Sequence, residues 1–290
     1  MAAIPGHVIS KNIWETAREA RMDASLLNTY QGSIAYYWDN EHNPVNLQLG
    51  ELDGLYHYHY GVGEVDQSVL DGSDRAILTE MHRLETAQAT CLLSYFEGTQ
   101  STDRLLDAGC GRGGTSLMAH QEFDCDVWGV TLSEKQAHFA NEQARNRGVS
   151  DRVTFHVKNM LDTRFGPGSF KGIWNNESTM YVDLFDLFAE YARLLERGGR
   201  YVVIAGCSND AYGLPSKEVN QINAHSRSTY LKAMLANKIV PVDILDLTEA
   251  TIPYWELRRT SSVATGIEDA FLTAYQKGSF QYLLIAADRV

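Results

Sequence analysis

The sequence predicts an α/β protein with a doubly wound, mostly parallel, seven-stranded sheet, an N-terminal helical segment and an inserted cap. Two observations carry this. Beyond Asp103, short apolar runs alternate with stretches of helical spacing, which is how successive βαβ units read. The first run ends at Asp107 and passes directly into Gly109-Cys110-Gly111-Arg112-Gly113-Gly114, a turn whose glycines let backbone approach a ligand where side chains would obstruct it.

The elements follow in order. Ile13 to Tyr37 has helical spacing and ends in the aromatic Tyr36-Tyr37-Trp38. Asn40 to Gly63 holds Pro44, Gly50, Gly54 and the ring-rich run Tyr56-His57-Tyr58-His59-Tyr60, and reads as a structured loop. Asp74 to Phe96 reads as a long helix with Ile77, Met81, Leu84 and Leu92 toward one side. Strands are predicted at Arg104 to Ala108, Val127 to Val130, Val153 to Val157, Phe170 to Trp174, Tyr201 to Ile204, Val242 to Leu247 and Phe280 to Ala286. Residues 1–100 thus form a helical and aromatic lid segment and residues 101–290 the sheet domain. The stretch at about 207–240, too long for a plain connection and helical in pattern at Val219 to Ala224 and Thr229 to Asn237, is predicted to cap the site.

Composition narrows the function. A net charge of −12 argues against a polyanion-binding surface, because nucleic-acid affinity depends on Lys and Arg neutralising phosphates. No apolar run reaches the ~18 residues of a membrane span, and the first residues lack a signal-peptide pattern. The expectation is a cytoplasmic protein that binds small molecules and further copies of itself, but neither nucleic acid nor membrane. Cys91, Cys110, Cys125 and Cys207 lack metal-ligand spacing and read as reduced thiols.

The glycine spacing alone also suits a dinucleotide-binding dehydrogenase, whose pattern is Gly-x-Gly-x-x-Gly. The acid ahead of the loop decides against it, since Asp107 would repel a pyrophosphate. The arrangement resembles that of methyltransferases of this fold, in which the acid lies near the loop that holds the amino-acid end of S-adenosylmethionine. The expected fold is then that of the Rossmann-like class I methyltransferases. Asp107, Gly109, Gly111 and Gly113 form its loop. Thr131-Leu132-Ser133-x-x-Gln136 at the end of strand two matches the Leu-Ser-x-x-Gln of cyclopropane-synthase-like and sterol-like methyltransferases and places Gln136 toward the ribose. Asn159 and Met160, after strand three, match the position where such enzymes cover the adenine edge, and Asn175 lies at the end of strand four.

At the carboxyl edge of strand four stands Trp174-Asn175-Asn176-Glu177-Ser178-Thr179-Met180-Tyr181. Amides and rings around Glu177 would desolvate it and raise its pKa, as suits a proton acceptor. The plainer role for Glu177 is to cap the helix that begins near Val182.

At these residues the chain resembles the bacterial prenyl diphosphate C-methyltransferases. The likeness covers most of the chain. It includes Tyr37-Trp38-Asp39-Asn40-Glu41, Pro44-Val45-Asn46-Leu47, Asp53-Gly54-Leu55-Tyr56-His57, Asn159-Met160-Leu161-Asp162-Thr163, Asn175 to Leu184, Pro215-Ser216-Lys217, Gln221-Ile222-Asn223-Ala224-His225 and Pro253-Tyr254-Trp255-Glu256-Leu257-Arg258. It departs at Ser208, where the family carries Trp, and after His225, where the family has about half a dozen more residues. Both departures fall where a prenyl chain would be enclosed.

The resemblance implies methyl transfer to an alkene carbon of a prenyl diphosphate, with C2 of geranyl diphosphate expected, through a tertiary carbocation that Glu177 deprotonates. Tyr56, Trp174 and Tyr181 are the candidate rings around that cation. Asn40, His225 and Trp255 complete the expected substrate site, with Lys217 and Arg258 as expected diphosphate ligands. No Asp-rich pair is present, so magnesium would come with the diphosphate, with Asn40, Glu41 or Asn46 helping through water. The alternatives are isopentenyl or farnesyl diphosphate, another carbon of geranyl diphosphate, a lipid or small-molecule methyltransferase lacking a diphosphate site, or a cofactor-binding regulator without catalysis.

Overall fold

The computed structural model describes residues 29–40, 45–212 and 224–290. In chain order the elements are α1 (Thr29–Asn40), α2 (Val45–Gly50), α3 (Asp74–Leu93), β1 (Arg104–Ala108), α4 (Gly114–Phe123), β2 (Asp126–Thr131), α5 (Glu134–Asn146), β3 (Val153–Val157), β4 (Phe170–Asn176), α6 (Leu184–Leu194), β5 (Leu195–Ser208), α7 (Arg227–Ala236), β6 (Ile239–Asp246), α8 (Thr248–Thr260), α9 (Glu268–Gln276) and β7 (Phe280–Arg289). Side-chain caps start several helices. Ser73, Ser133, Asp183 and Ser226 accept from backbone N–H groups of α3, α5, α6 and α7, each cap worth about 1 kcal/mol.

The strands form one sheet of order β3-β2-β1-β4-β5-β7-β6. Only β7 runs antiparallel to its neighbours, pairing with β5 from Arg200↔Asp288 to Ser208↔Phe280. Chain order reverses between β1 and β4, so a crevice opens beyond their carboxyl ends.

Both faces of the sheet are covered, and the period of two in the strands separates the two cores. Leu105, Trp174, Val202, Ile204 and Leu284 pack with Met81, Leu84, Leu117, Tyr254 and Phe271 on one face. Leu106, Ile173, Val203, Ala205 and Ile285 pack with Leu187, Phe188, Tyr191, Tyr230 and Met234 on the other. Truncating fully buried Phe188 to Ala would cost roughly 3–5 kcal/mol.

Several sequence-based boundaries change. β5 spans 14 residues rather than Tyr201 to Ile204, because β7 pairs along much of its length. β6 begins at Ile239, three residues earlier than expected. α3, assigned from sequence to a lid, is a sheet-covering helix with Met81, Leu84 and Leu92 fully buried. Residues 227–236 do not cap the site either, since Tyr230, Ala233 and Met234 pack against α6 and the sheet. Most of the expected helix at Val219 to Ala224, and the part of the N-terminal helix before Thr29, lie outside the described residues.

Candidate active site

The crevice beyond β1 and β4 is a cleft of about 920 Å³, counted out to its open mouth. Its floor is the turn after β1. Gly109, Gly111 and Gly113 all have positive φ, at 87°, 52° and 86°. A Cβ on Gly109 would stand 2.3 Å from that of Ser178, whereas one on Gly111 would meet nothing closer than Tyr58 at 3.8 Å and would protrude into the cleft.

Asp107 lies behind this turn with its side chain buried. Ser116 Oγ donates to it at 2.6 Å. Burial pushes its pKa up to about 7, against the lowering effect of Ser116 and the Trp174 indole. A cationic group placed here would relieve the cost of ionising it.

Along the cleft from Asp107 come the ends of β2 and β3. Thr131 Oγ1 donates to Gln136 Oε1 at 2.8 Å, which points the Gln136 amide along the wall. Asn159 Nδ2 donates to Gln31 Oε1 at 3.1 Å, tying α1 to the far end of the cleft. Asp39 fixes the other end of α1 by accepting from Ser133 Oγ and from the backbone N–H of Lys135. α1 therefore roofs the cleft. From it Trp38 meets Tyr58 edge-on at 4.7 Å and Tyr181 at 6.3 Å.

Glu177 closes the opposite wall. Its φ of 51° lies in the left-handed region, which costs a non-glycine residue about 1–2 kcal/mol, and its N–H bonds to the Ile204 carbonyl at 3.0 Å. This sharp turn past β4 swings the carboxylate into the cleft. Burial raises its pKa to about 8; hydrogen bonds from the Tyr282 hydroxyl and the Gly206 backbone lower it only in part. Oε1 is buried with no protein partner. Gln88 Nε2 bonds both the Tyr282 hydroxyl at 3.0 Å and Asn176 Oδ1 at 2.7 Å, bracing the residues around Glu177. Helix α6 takes its cap from Asp183, so the capping role considered for Glu177 is not the one it fills.

Asp107, Gly109, Gly111, Thr131, Leu132, Gln136, Asn159, Met160, Tyr56, Glu177 and Tyr181 all line the cleft. Other expected site residues do not line it. Gly113 packs on Phe155 of β3. Asn175 is still inside β4, where its amide bonds the Ala108 carbonyl at 2.7 Å and its oxygen accepts from Tyr191 and Tyr201. Trp174 is in the core against Phe96, beneath Asp107 rather than around a substrate. Trp255 is stacked on Phe271 at 4.3 Å. Arg258 is buried beside it, with Nε 3.1 Å from Glu268 Oε1, so its charge is already matched inside the fold. His225 Nε2 faces the Thr179 and Val182 carbonyls. Asn40 turns its amide back to Tyr36 O at 2.8 Å. Lys217, Glu41 and the Asn46 side chain lie outside the described residues. Sequence reasoning missed His57, His59, Trp38, Tyr58 and Lys158 as lining residues. The alternation Tyr56-His57-Tyr58-His59-Tyr60 was the available signal, since its two histidines are buried while the three tyrosines are only partly so.

The comparisons with known proteins agree with this geometry. A family model described as a methyltransferase domain matches residues 105–199. The geranyl diphosphate 2-C-methyltransferase of Saccharopolyspora erythraea is 61% identical over 278 residues, covering 92% of this chain and 98% of the relative. A solved geranyl diphosphate methyltransferase in complex with GPP and sinefungin superposes with a TM-score of 0.89 at 55% identity, covering 91% of this chain and 100% of the other. The Streptomyces coelicolor geranyl diphosphate C-methyltransferase in complex with Mg2+, geranyl-S-thiolodiphosphate and S-adenosyl-L-homocysteine gives 0.90 at 54%, covering 92% and 100%.

Proposed function

The chain belongs to the geranyl diphosphate 2-C-methyltransferase family, and on that premise we propose that it transfers the methyl group of S-adenosylmethionine to C2 of geranyl diphosphate, with Glu177 taking the proton that leaves. The observation that carries this reading is the Glu177 carboxylate, buried without a partner for Oε1 in the same cleft as the glycine turn.

The residues present fit the cofactor. The turn at Gly109 to Gly111 leaves room that a Cβ at Gly111 would invade, Asp107 offers a carboxylate to the amino-acid end, and Gln136 faces where a ribose would lie. The cofactor supplies an electrophilic methyl on a sulfonium. The protein's part is to hold an alkene in line with that methyl and to exclude water, which α1 does as a roof. As the C2–C3 π electrons form the new bond to carbon, positive charge develops at C3. The rings of Trp38, Tyr58 and Tyr181 stand together at that end of the cleft, where a ring face turned to the cation stabilises it. Tyr56, held edge-on against Phe139 at 4.8 Å, closes the side nearest the turn. Glu177 then removes the proton from C2, and that C–H pair restores the double bond. A carboxylate held near neutral pKa by burial accepts such a proton readily and stabilises the cation before it does so.

Magnesium, present in the related complex, enters with the diphosphate in this reading. No group of three or more His, Cys, Asp or Glu side chains among the described residues is arranged to hold it, and no step is assigned to it. No described helix is long and apolar enough to cross a membrane.

The test is to incubate the protein with methyl-labelled S-adenosylmethionine and geranyl, isopentenyl and farnesyl diphosphates, with geraniol as the control lacking phosphate. Label in 2-methylgeranyl diphosphate is the expected result. Equal labelling of geraniol would remove the diphosphate from the reading, and exclusive labelling of another prenyl diphosphate would change the substrate.

A further inference from the structure

His57 is 3% exposed, and its Nδ1 has no protein partner although the ring lines the cleft. That nitrogen lies against Gly114, the first residue of the ten-residue helix α4, 2.9 Å from where a Cβ on Gly114 would stand. The opposite nitrogen, Nε2, faces Thr86 Oγ1 of α3 at 3.4 Å. Burial, with His59 and His82 rings 4.8 and 5.5 Å away, holds the His57 pKa well below its ordinary range, so the ring is neutral.

We infer that His57 is a cofactor-binding residue that donates from Nδ1 to the carboxylate of the methionyl moiety, working together with the amino end of α4.

The inference rests on the cofactor reading above. Three features converge on an anion at this spot. We take Nε2 as the acceptor of the Thr86 hydroxyl, 3.4 Å away; a neutral imidazole in that tautomer carries its proton on Nδ1, which makes the unpartnered atom a donor. α4 begins at Gly114, beside that nitrogen, and a helix amino end favours negative charge. Gly114 lets the His57 ring pack close against the start of α4, because a side chain there would overlap Nδ1 and the Tyr56 carbonyl. The only anion that S-adenosylmethionine carries is its carboxylate, and its ammonium is accounted for by Asp107 on the other side of the turn.

Behind His57 the support is polar. His82 Nε2 is 2.8 Å from Asp53 Oδ1, and Tyr254 donates to Glu85 Oε1 at 2.7 Å while Glu85 Oε2 stands 3.7 Å from His82 Nδ1. These groups fix the wall on which His57 is mounted. None of them lines the cleft, so their part is to position the ring.

The experiment uses calorimetric titration of the full chain with three ligands: S-adenosylhomocysteine, decarboxylated S-adenosylmethionine, and 5′-methylthioadenosine, which lacks the whole amino-acid end. His57→Phe keeps a ring and removes both nitrogens. It should weaken S-adenosylhomocysteine at least about tenfold, the size of a lost hydrogen bond to a charged group. Binding of the other two ligands should change less than twofold. His57→Asn keeps a donor near the Nδ1 position and should recover much of the loss. Thr86→Val leaves His57 in place but releases its tautomer, and should weaken only S-adenosylhomocysteine, to a smaller degree. This variant tests the inference even if His57→Phe does not fold. Equal weakening of all three ligands, or none, in both His57→Phe and Thr86→Val would overturn the inference while leaving the cofactor reading intact. Failure of the wild type to bind S-adenosylhomocysteine would overturn both.

Discussion

The Tyr282 hydroxyl faces the Glu177 carboxylate on one side and takes a 3.0 Å hydrogen bond from Gln88 Nε2 on the other. That bond leaves its own proton to Glu177, so Tyr282 favours the charged form of a carboxylate that burial otherwise holds neutral. Tyr282→Phe should therefore raise the Glu177 pKa further. In a pH profile of kcat/KM at saturating cofactor, the rising limb should move up by roughly half to one pH unit. An unmoved limb would mean that Glu177 is not the group whose ionisation the profile reads.

Glu177→Gln preserves shape and removes the charge. Turnover should fall by about 10²- to 10⁴-fold while S-adenosylhomocysteine affinity holds within a few fold. The titrating limb, which lies at or below about 8 in the wild type because a bound sulfonium lowers the pKa, should vanish with it. A variant keeping more than about a tenth of wild-type kcat would pass the proton-accepting role to Tyr56 or to the diphosphate, since a positioned base contributes more than that.

The same substitution has a stability signature of definite sign. Glu177 titrates at about 8 in the fold against 4.5 ordinarily, so the folded state binds the extra proton. The stability that the neutral acid contributes is fully present below about pH 4.5 and is lost as pH rises through about 8. Asp107, raised from 3.8 to about 7, acts with the same sign. Each of these groups weakens the ligand-free fold across this window by at most about 1.4 kcal/mol per pH unit, Glu85, whose pKa burial also raises, adds with the same sign, and Glu177→Gln should remove only its own share. Chemical denaturation at pH 5 and pH 8 checks it, and equal pH slopes in the two proteins would contradict the raised pKa.

Gly111→Val should abolish measurable cofactor binding while the protein still folds. Its φ of 52° makes a β-branched residue strained by about 1–3 kcal/mol, yet its Cβ meets no protein atom closer than 3.8 Å. The side chain fills the cleft instead. Calorimetry that finds wild-type affinity in a folded Gly111→Val would place the cofactor elsewhere.

Arg258→Ala should act on stability rather than on the substrate KM. The residue is buried with its guanidinium against Glu268 and 5.3 Å over Trp255, and removing one member of a buried pair costs about 3–5 kcal/mol. Denaturation of Arg258→Ala and of Arg258→Ala with Glu268→Gln should show the second change recovering part of the loss. A raised KM for geranyl diphosphate with unchanged stability would restore Arg258 to the diphosphate site.

The parallel sheet, the glycine turn, the marks at Gln136 and Asn159, and the candidacy of Glu177 were all readable from the chain alone. Each is a local pattern: short apolar runs for strands, glycine where backbone must turn, polar residues where a strand ends. Those patterns arise from steric rules acting over a few residues, so linear spacing preserves them. The fates of Arg258, Trp255 and Trp174 were not readable. A buried arginine and an exposed one look alike until the partner, Glu268 ten residues on, is brought against it by the packing of α8 on α9. Trp174 and Glu177 are three positions apart in one motif, and only the end of β4 separates them, the tryptophan still inside the strand and the glutamate turned out by its positive φ. The ionisation of Glu177 belongs to the tertiary structure as well. Its pKa of about 8 is the product of walls contributed by β5, β7 and α3, which the chain sets together only when folded, because desolvation depends on everything that surrounds a charge.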